Sequence, residues 1–235
     1  MYDSLWADWY LPAAMPALEK LFFSRCDPGS AVLDVCCGSG HVTKEIAQRG
    51  YVVTGVDASA ELISIARQRL PRVKFLIQDV TCLTFDRAFD AALSTFDSLN
   101  HILSIDQLRM ALAGVRSALR SGGLFVFDMN LEKAYIADLH QWHVTMRETD
   151  VGLVRGTYDG NSKLARTELV WFVRQDGSDC WTRRQSVVEQ RCYQPEQIIG
   201  GLTDAGFRSI SAIRAEEAGI TSELGFGRVF FSARA

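Results

Sequence analysis

Three aspartates stand one after another at the ends of apolar runs in the first third of this 235-residue chain: Asp34, Asp57 and Asp79. The first opens a glycine turn, Asp34-Val-Cys-Cys-Gly-Ser-Gly40. A carboxylate has two oxygens, each able to accept hydrogen bonds, so it suits a pair of neighbouring hydroxyls such as a ribose presents. Asp57, closing the run YVVTGVD, is the candidate for that contact, with Ala58 beside it. Asp79, in Gln78-Asp79-Val80, can accept from an adenine amino group while the Val80 amide donates to a ring nitrogen. Gly38 and Gly40, with Ser39 between them, let the backbone bend sharply and approach a ligand closely. Asp34 is placed to orient that bend or to hold a cationic end of the ligand. Each aspartate alone is as easily a cap or turn residue. It is the set, one βα unit apart, that carries the reading.

The elements that must position these groups alternate strand and helix. AVLDVCC (31–37) is a short apolar run of the kind buried on both faces of a sheet. HVTKEIAQRG (41–50) has helical periodicity and ends in a glycine. YVVTGVD (51–57), VKFLIQD (73–79), FDAALSTF (89–96) and SGGLFVFDMN (121–130) read as further strands. Between them, Ser59 caps the helix AELISIARQRL, and IDQLRMALAGVRSAL (105–119) is amphipathic. Five strands joined by helices predict a parallel, doubly wound Rossmann-like α/β sheet. From about residue 142 the pattern changes to period two, with turn signals at Asp159-Gly160 and Asp176-Gly177. That predicts an antiparallel β insertion of three or four strands over 142–194. A helix then starts at Pro195, and the runs 207–215 and 227–235 form a closing antiparallel hairpin, giving seven strands in the main sheet. Residues 1–25 read as helical with interruptions near Pro12 and Pro16, forming an N-terminal lid. The core domain is then 26–141 together with 195–235.

An open α/β sheet binds ligands at the carboxyl ends of its strands, where the strand order switches. Two ligands compete for the glycine turn. A dinucleotide fingerprint asks for G-x-G-x-x-G/A, but His41-Val42-Thr43 follows Gly40, so the third small residue is absent. Asp34 would also repel a pyrophosphate, whereas a ligand without phosphate meets no such repulsion. Asp57 suits either ligand, so an NAD-dependent oxidoreductase stays as the alternative.

At LDVCCGSG, GVDAS, QDV and LRSGGLFVFD the chain resembles the class I S-adenosylmethionine-dependent methyltransferases, over roughly 31–130. Cys36 departs from the glycine usual in that family. A narrower resemblance runs through TFDSLNHI (95–102), the aromatic start YDSLWADWY, the β insertion and the ending PEQIIGGLTDAGF…GRVFFSAR. It is to small-molecule, amino-sugar N-methyltransferase-like bacterial members. The resemblance implies S-adenosyl-L-methionine as cofactor and a small-molecule acceptor, with N-methylation of an amine favoured over O-methylation. It places Tyr10, Asp34, Cys36, Gly38, Ser39, Gly40, Asp57, Ala58, Asp79, Val80, Thr95 and Phe96 at the cofactor. An N-terminal tyrosine, here Tyr10, reaches the cofactor carboxylate in similar enzymes.

Methyl transfer is an in-line displacement in which the protein aligns nucleophile and methyl in a dry pocket. The end of the fourth strand is the expected pocket wall, with Asp97, Asn100 and His101 as catalytic candidates. Histidine exchanges protons near neutral pH, which makes His101 the natural base. Asp128 and Asn130 end the fifth strand and either bind the acceptor or cap the next helix. Trp6 and Trp9 read as packing residues and His41 as a cap or solvent contact; His140 and His143 are given no role.

Composition narrows the partners. Apolar residues make up 48% and charged residues 23%, with net charge −3. No basic stripe for nucleic acid appears, and Arg183-Arg184 read as a solvated strand face. An RNA or protein methyltransferase remains a further alternative, although the fourth strand lacks an Asn/Asp-Pro-Pro-Tyr/Phe segment. No run reaches the length that spans a bilayer, and the first residues lack the regions of a signal peptide. A cytoplasmic protein without membrane contact is expected. Six cysteines show no metal-ligand spacing, so no metal is expected and the thiols read as reduced and mostly buried. The insertion strands offer a surface on which two copies could pair as a homodimer.

Overall fold

A computed structural model describes residues 8–137, 140–175 and 177–235. Tyr2, Trp6 and Asp176 fall outside the described residues, as does the side chain of Trp9. The chain runs α1 (Asp8–Leu21), β1 (Ala31–Val35), α2 (His41–Gln48), β2 (Val52–Asp57), α3 (Ala60–Arg69), β3 (Lys74–Ile77), β4 (Phe89–Ser94), α4 (Ile105–Ala118) and β5 (Leu119–Asn130). It continues through α5 (Glu132–Ala137), β6 (Trp142–Met146), β7 (Asp150–Asp159), β8 (Leu164–Arg174), β9 (Trp181–Arg191), α6 (Pro195–Asp204), β10 (Arg208–Arg214) and β11 (Arg228–Arg234). The main sheet has seven strands in the order β10-β11-β5-β4-β1-β2-β3, with only the β11 pairings antiparallel. β6 to β9 form a separate four-stranded antiparallel sheet.

The period of two in each strand sorts the core onto two faces. Leu33, Val35, Phe125, Phe127 and Phe231 pack with Leu108 and Leu112 of α4 and with Ile198 and Leu202 of α6. Val32, Val53, Leu93, Val126 and Phe230 pack on the other side with Ala14 and Leu18 of α1 and Ile46 of α2. Helices therefore cover both faces, as a doubly wound sheet requires. β1 pairs in parallel with both β2 and β4, so strand order reverses between β1 and β4 and a crevice opens at their carboxyl ends.

Local signals decide where elements stop. Ser59 caps α3 by accepting from the Leu62 amide at 3.2 Å. Gln194 and Gln197 form a reciprocal capping box at the start of α6. β1 ends earlier than the apolar run suggests, because Cys36 takes φ 58, a left-handed conformation that strains any residue but glycine. α1, by contrast, is continuous through Pro12 and Pro16. Both prolines lie on its exposed side, where solvent can take the carbonyls that lose a partner, while Ala14, Ala17, Leu18 and Leu21 are buried on the other side. The thiols also depart from expectation: Cys37 and Cys192 are buried, Cys26 and Cys36 half-buried, and Cys82 and Cys180 exposed. Arg183 and Arg184 are exposed on β9.

Candidate active site

Two adjoining cavities open above the crevice. The larger, about 410 Å³, is lined from the first turn by Asp34, Cys36, Gly38 and Ser39, and after β2 by Asp57 and Ala58. After β3 come Asp79 and Val80, after β4 Thr95 and Phe96, and from α1 Tyr10. The sequence reading missed Leu11, Val42, Leu62, Ser98, Ile102 and Val188 on this wall, and it gave His41, also here, a cap or solvent role. These are mostly apolar helix and strand positions whose pattern is the same whether they face core or ligand.

Gly40 does not line the cavity. It takes φ 85 at the start of α2, and a Cβ there would lie 3.3 Å from Ala66 Cβ and Phe75 Cζ. Glycine there lets α2 pack close to α3 and β3.

The three aspartates differ in their surroundings. Asp57 Oδ2 accepts from the Gly38 amide and Oδ1 from the Ser59 amide, both at 2.9 Å, so one carboxylate ties the glycine turn to the tip of β2. Asp79 Oδ1 accepts from the amide and the hydroxyl of Thr81, both at 2.8 Å. Asp34 is almost fully buried and accepts from the Thr43 hydroxyl. Burial raises its pKa to about 7, opposed by the Thr43 hydrogen bond and assisted by the charge of Asp57. A carboxyl whose folded pKa lies above its ordinary value contributes stability while protonated and loses it as pH climbs. From about pH 4 to pH 7 the wild-type protein should therefore lose thermal stability relative to Asp34→Asn. Unfolding scans across that window check it, and parallel curves for the two proteins refute it.

The second cavity, about 290 Å³, lies between the tip of β4 and the inner face of the four-stranded sheet. Phe96, Asp97, His101, Asn130 and Arg228 line its floor, and Gly156, Thr167, Val188 and Gln190 are part of its roof. Phe96, His101 and Val188 belong to both cavities. His143 of β6 also lines it, against the expectation that it has no role.

Beneath this floor is a buried ionic cluster. Arg228 Nη1 donates to Asp128 Oδ2, Nη2 to Asp97 Oδ1 at 2.7 Å and Nε to the Leu224 carbonyl at 3.2 Å. Asp128 also accepts from Tyr10 Oη at 3.1 Å and from the amides of Phe96 at 2.7 Å and Asp97 at 3.1 Å. Those two residues take φ 64 and φ 47, so consecutive left-handed residues aim both amides at one carboxylate. Burial raises the Asp128 pKa, with Arg228 opposing and Asp97 adding to the shift. Asp128 is wholly buried and lines neither cavity, and its bonds hold the β4 tip in shape.

The catalytic candidates separate here. Asp97 Oδ2 accepts from Gln190 Nε2 at 2.5 Å. His101 has Nδ1 3.3 Å from the Glu189 carbonyl, which fixes the proton on Nδ1 and leaves Nε2 as an acceptor, 3.3 Å from Gln190 Nε2. Asn100 is fully buried and lines neither cavity. Its Nδ2 donates to the carbonyls of Asn130 and Arg191, and its Oδ1 accepts from the Asn130 amide. It fastens the β4 tip to the ends of β5 and β9 and is placed on neither cavity wall. Arg228 was missed, its one signal being an arginine at the head of the largely apolar run GRVFFSARA.

The larger cavity fits a nucleoside without phosphate and with a cationic end. Two acidic strand tips and Asp34 line it, and a Cβ on Gly38 would meet nothing within 4 Å, leaving open space beside the turn. A pyrophosphate there would face Asp34 and Asp57 without a compensating lysine or arginine among the lining residues. A methyltransferase domain model matches residues 32–123. The ubiquinone biosynthesis O-methyltransferase of Coxiella burnetii is 30% identical over 192 residues, covering 75% of this chain and 79% of that one. The dTDP-3-amino-3,4,6-trideoxy-alpha-D-glucopyranose N,N-dimethyltransferase of Streptomyces venezuelae is 31% identical over 115 residues, 47% of each chain. Among solved structures, the sugar N-methyltransferase KedS8 of a Streptoalloteichus species superposes with TM-score 0.81 at 19% identity, covering 100% of this chain and 92% of that chain. With domain, fold and cavity in agreement, the chain belongs to the class I methyltransferase family. It is an enzyme whose cofactor is S-adenosylmethionine.

Proposed function

We propose that this enzyme transfers methyl groups to a small polar amine, with the larger cavity holding the cofactor and the smaller one the acceptor. The observation that carries the reading is the charge of the acceptor floor. Asp97 and Asp128 share the single guanidinium of Arg228, and Asp97 is the carboxyl of the pair that faces the cavity. Arg228 is the only lysine or arginine among the described lining residues, and it is already paired. Such a floor attracts an ammonium and offers little to a phenolate or a carboxylate. The amino-sugar enzymes among the relatives and structural neighbours support the same choice.

The cofactor supplies a methyl group on a positively charged sulfur. Asp57 receives the ribose hydroxyls, Asp79 and the Val80 amide the adenine edge, and Asp34 the amino-acid end. The Tyr10 hydroxyl is committed to Asp128 and the Phe96 amide, so Tyr10 meets the cofactor through its ring and the expectation that it reaches the cofactor carboxylate is corrected. Thr95, Phe96, Cys36, Ser39 and Ala58 complete the wall. Residues 1–25 act as the lid through α1, where Tyr10 packs on Phe96 with ring centroids 4.3 Å apart. Residues 142–194 act as the roof of the acceptor pocket. Asp97 draws the ammonium in, and His101 Nε2 takes the proton that must leave before the nitrogen lone pair can attack.

A screen of a metabolite library for S-adenosylhomocysteine release tests the proposal; amines as the accepted class support it, and phenols or NAD-linked redox turnover overturn it. For His101→Ala we expect turnover lower by about 100-fold or more with cofactor affinity nearly unchanged. Equal loss of both in kinetics and calorimetry would remove His101 from the proton path.

A further inference from the structure

The structure assigns Tyr135 of α5 as an acceptor-binding residue, whose hydroxyl is held for a hydroxyl or other polar substituent of the acceptor away from the methylated nitrogen. The assignment rests on the amine-acceptor reading above. Tyr135 lines the smaller cavity, and its Oη is buried with no hydrogen-bond partner. Native proteins leave few buried polar atoms in that state.

The neighbouring tyrosine sharpens the contrast. Tyr135 stacks on Tyr158 of β7 with centroids 5.7 Å apart and an interplanar angle of 14°. Tyr158 Oη donates to Glu132 Oε1 at 2.9 Å, and Lys163 Nζ binds the same oxygen at 2.8 Å. One ring of the pair is thus satisfied inside the protein, while the one on the cavity wall is not. Burial keeps the Tyr135 phenol protonated, and the nearby charge of Asp97 acts in the same direction, so it meets the acceptor as a neutral donor and acceptor.

The backbone fixes where this hydroxyl stands. Gly227 takes φ 69 directly under α5, and a Cβ there would lie 2.2 Å from the Ala134 nitrogen. The Leu131 amide donates to the Gly227 carbonyl at 2.9 Å. Only glycine at 227 lets α5 sit low enough to seat Tyr135 on the wall shared with Asp97 and Arg228. A site shaped to hydrogen-bond a substrate group discriminates strongly against the analogue that lacks it.

Tyr135→Phe removes the hydroxyl and keeps the stacked ring. The probes are 3-amino-3-deoxy-D-glucose, which carries hydroxyls around its amine, and cyclohexylamine, which carries none. Wild type should prefer the amino sugar by about tenfold or more in kcat/KM. The variant should lose that preference through a higher KM for the amino sugar, with S-adenosylhomocysteine affinity unchanged and a thermal midpoint equal to or above wild type. A lower midpoint would show the hydroxyl bonded within the fold and overturn the assignment. Wild-type turnover with an unaltered preference in the variant overturns the assignment alone. Turnover of neither amine by wild type brings down the amine reading and this assignment with it.

Discussion

Arg228→Leu should lower the stability of the enzyme by about 3–5 kcal/mol, because it strips two buried carboxylates of the counter-charge they share. That is a large share of the roughly 5–15 kcal/mol that holds a typical domain folded. Asp128 is wholly buried and Asp97 nearly so, and neither can turn to solvent without breaking the bonds that shape the β4 tip. The damage should depend on pH with a definite sign. Without the guanidinium nothing opposes the burial that raises the Asp128 pKa, so protonation of Asp128 relieves the strain and the deficit should shrink as pH falls. Denaturant unfolding at several pH values measures it. Asp128→Asn added to Arg228→Leu should recover part of the loss. A single variant as stable as wild type at neutral pH would mean that the cluster is not held as described.

Asp57→Ala should weaken S-adenosylhomocysteine binding by about 100- to 1000-fold. The substitution removes the acceptor for the ribose hydroxyls and also releases the Gly38 and Ser59 amides, which share that carboxylate. Hydrogen bonds to a charged group contribute about 1.5–3 kcal/mol each, so losing two or more accounts for the expected range. Asp57→Asn keeps one oxygen but puts a donor where the other stood, so it should fall between alanine and wild type. Calorimetry measures the affinity, and a thermal midpoint within a few degrees of wild type shows that the sheet persists. Unchanged binding would place the ribose elsewhere.

The parallel strands and the insertion were legible because their signals are local. Each buried strand is a short, mostly apolar run, and the antiparallel sheet announces itself through alternation and the Asp159-Gly160 turn. The same holds for the aspartates, which sit at strand ends that the sequence itself marks. The ionic cluster was not legible, since Asp97, Asp128 and Arg228 meet only after β4, β5 and β11 pair side by side. Asn100 shows the opposite failure. A polar residue after a strand tip looks the same whether it faces a cavity or clamps three backbones, and only its bonds to Asn130 and Arg191 decide. Short α5, and with it Tyr135, gave no periodic signal over its few residues.

The two cavities meet at three side chains, of which Phe96 and His101 come from the β4 tip and only Val188 from the added sheet. Every aspartate lining the larger cavity lies on the α/β framework, while most of the roof of the smaller cavity is carried by the four-stranded sheet. Chain variation can therefore rewrite which molecule is admitted while the methyl-donating half stays constant. Within the four-stranded sheet, position 188 is the exception, the described residue whose change both cavities would feel at once.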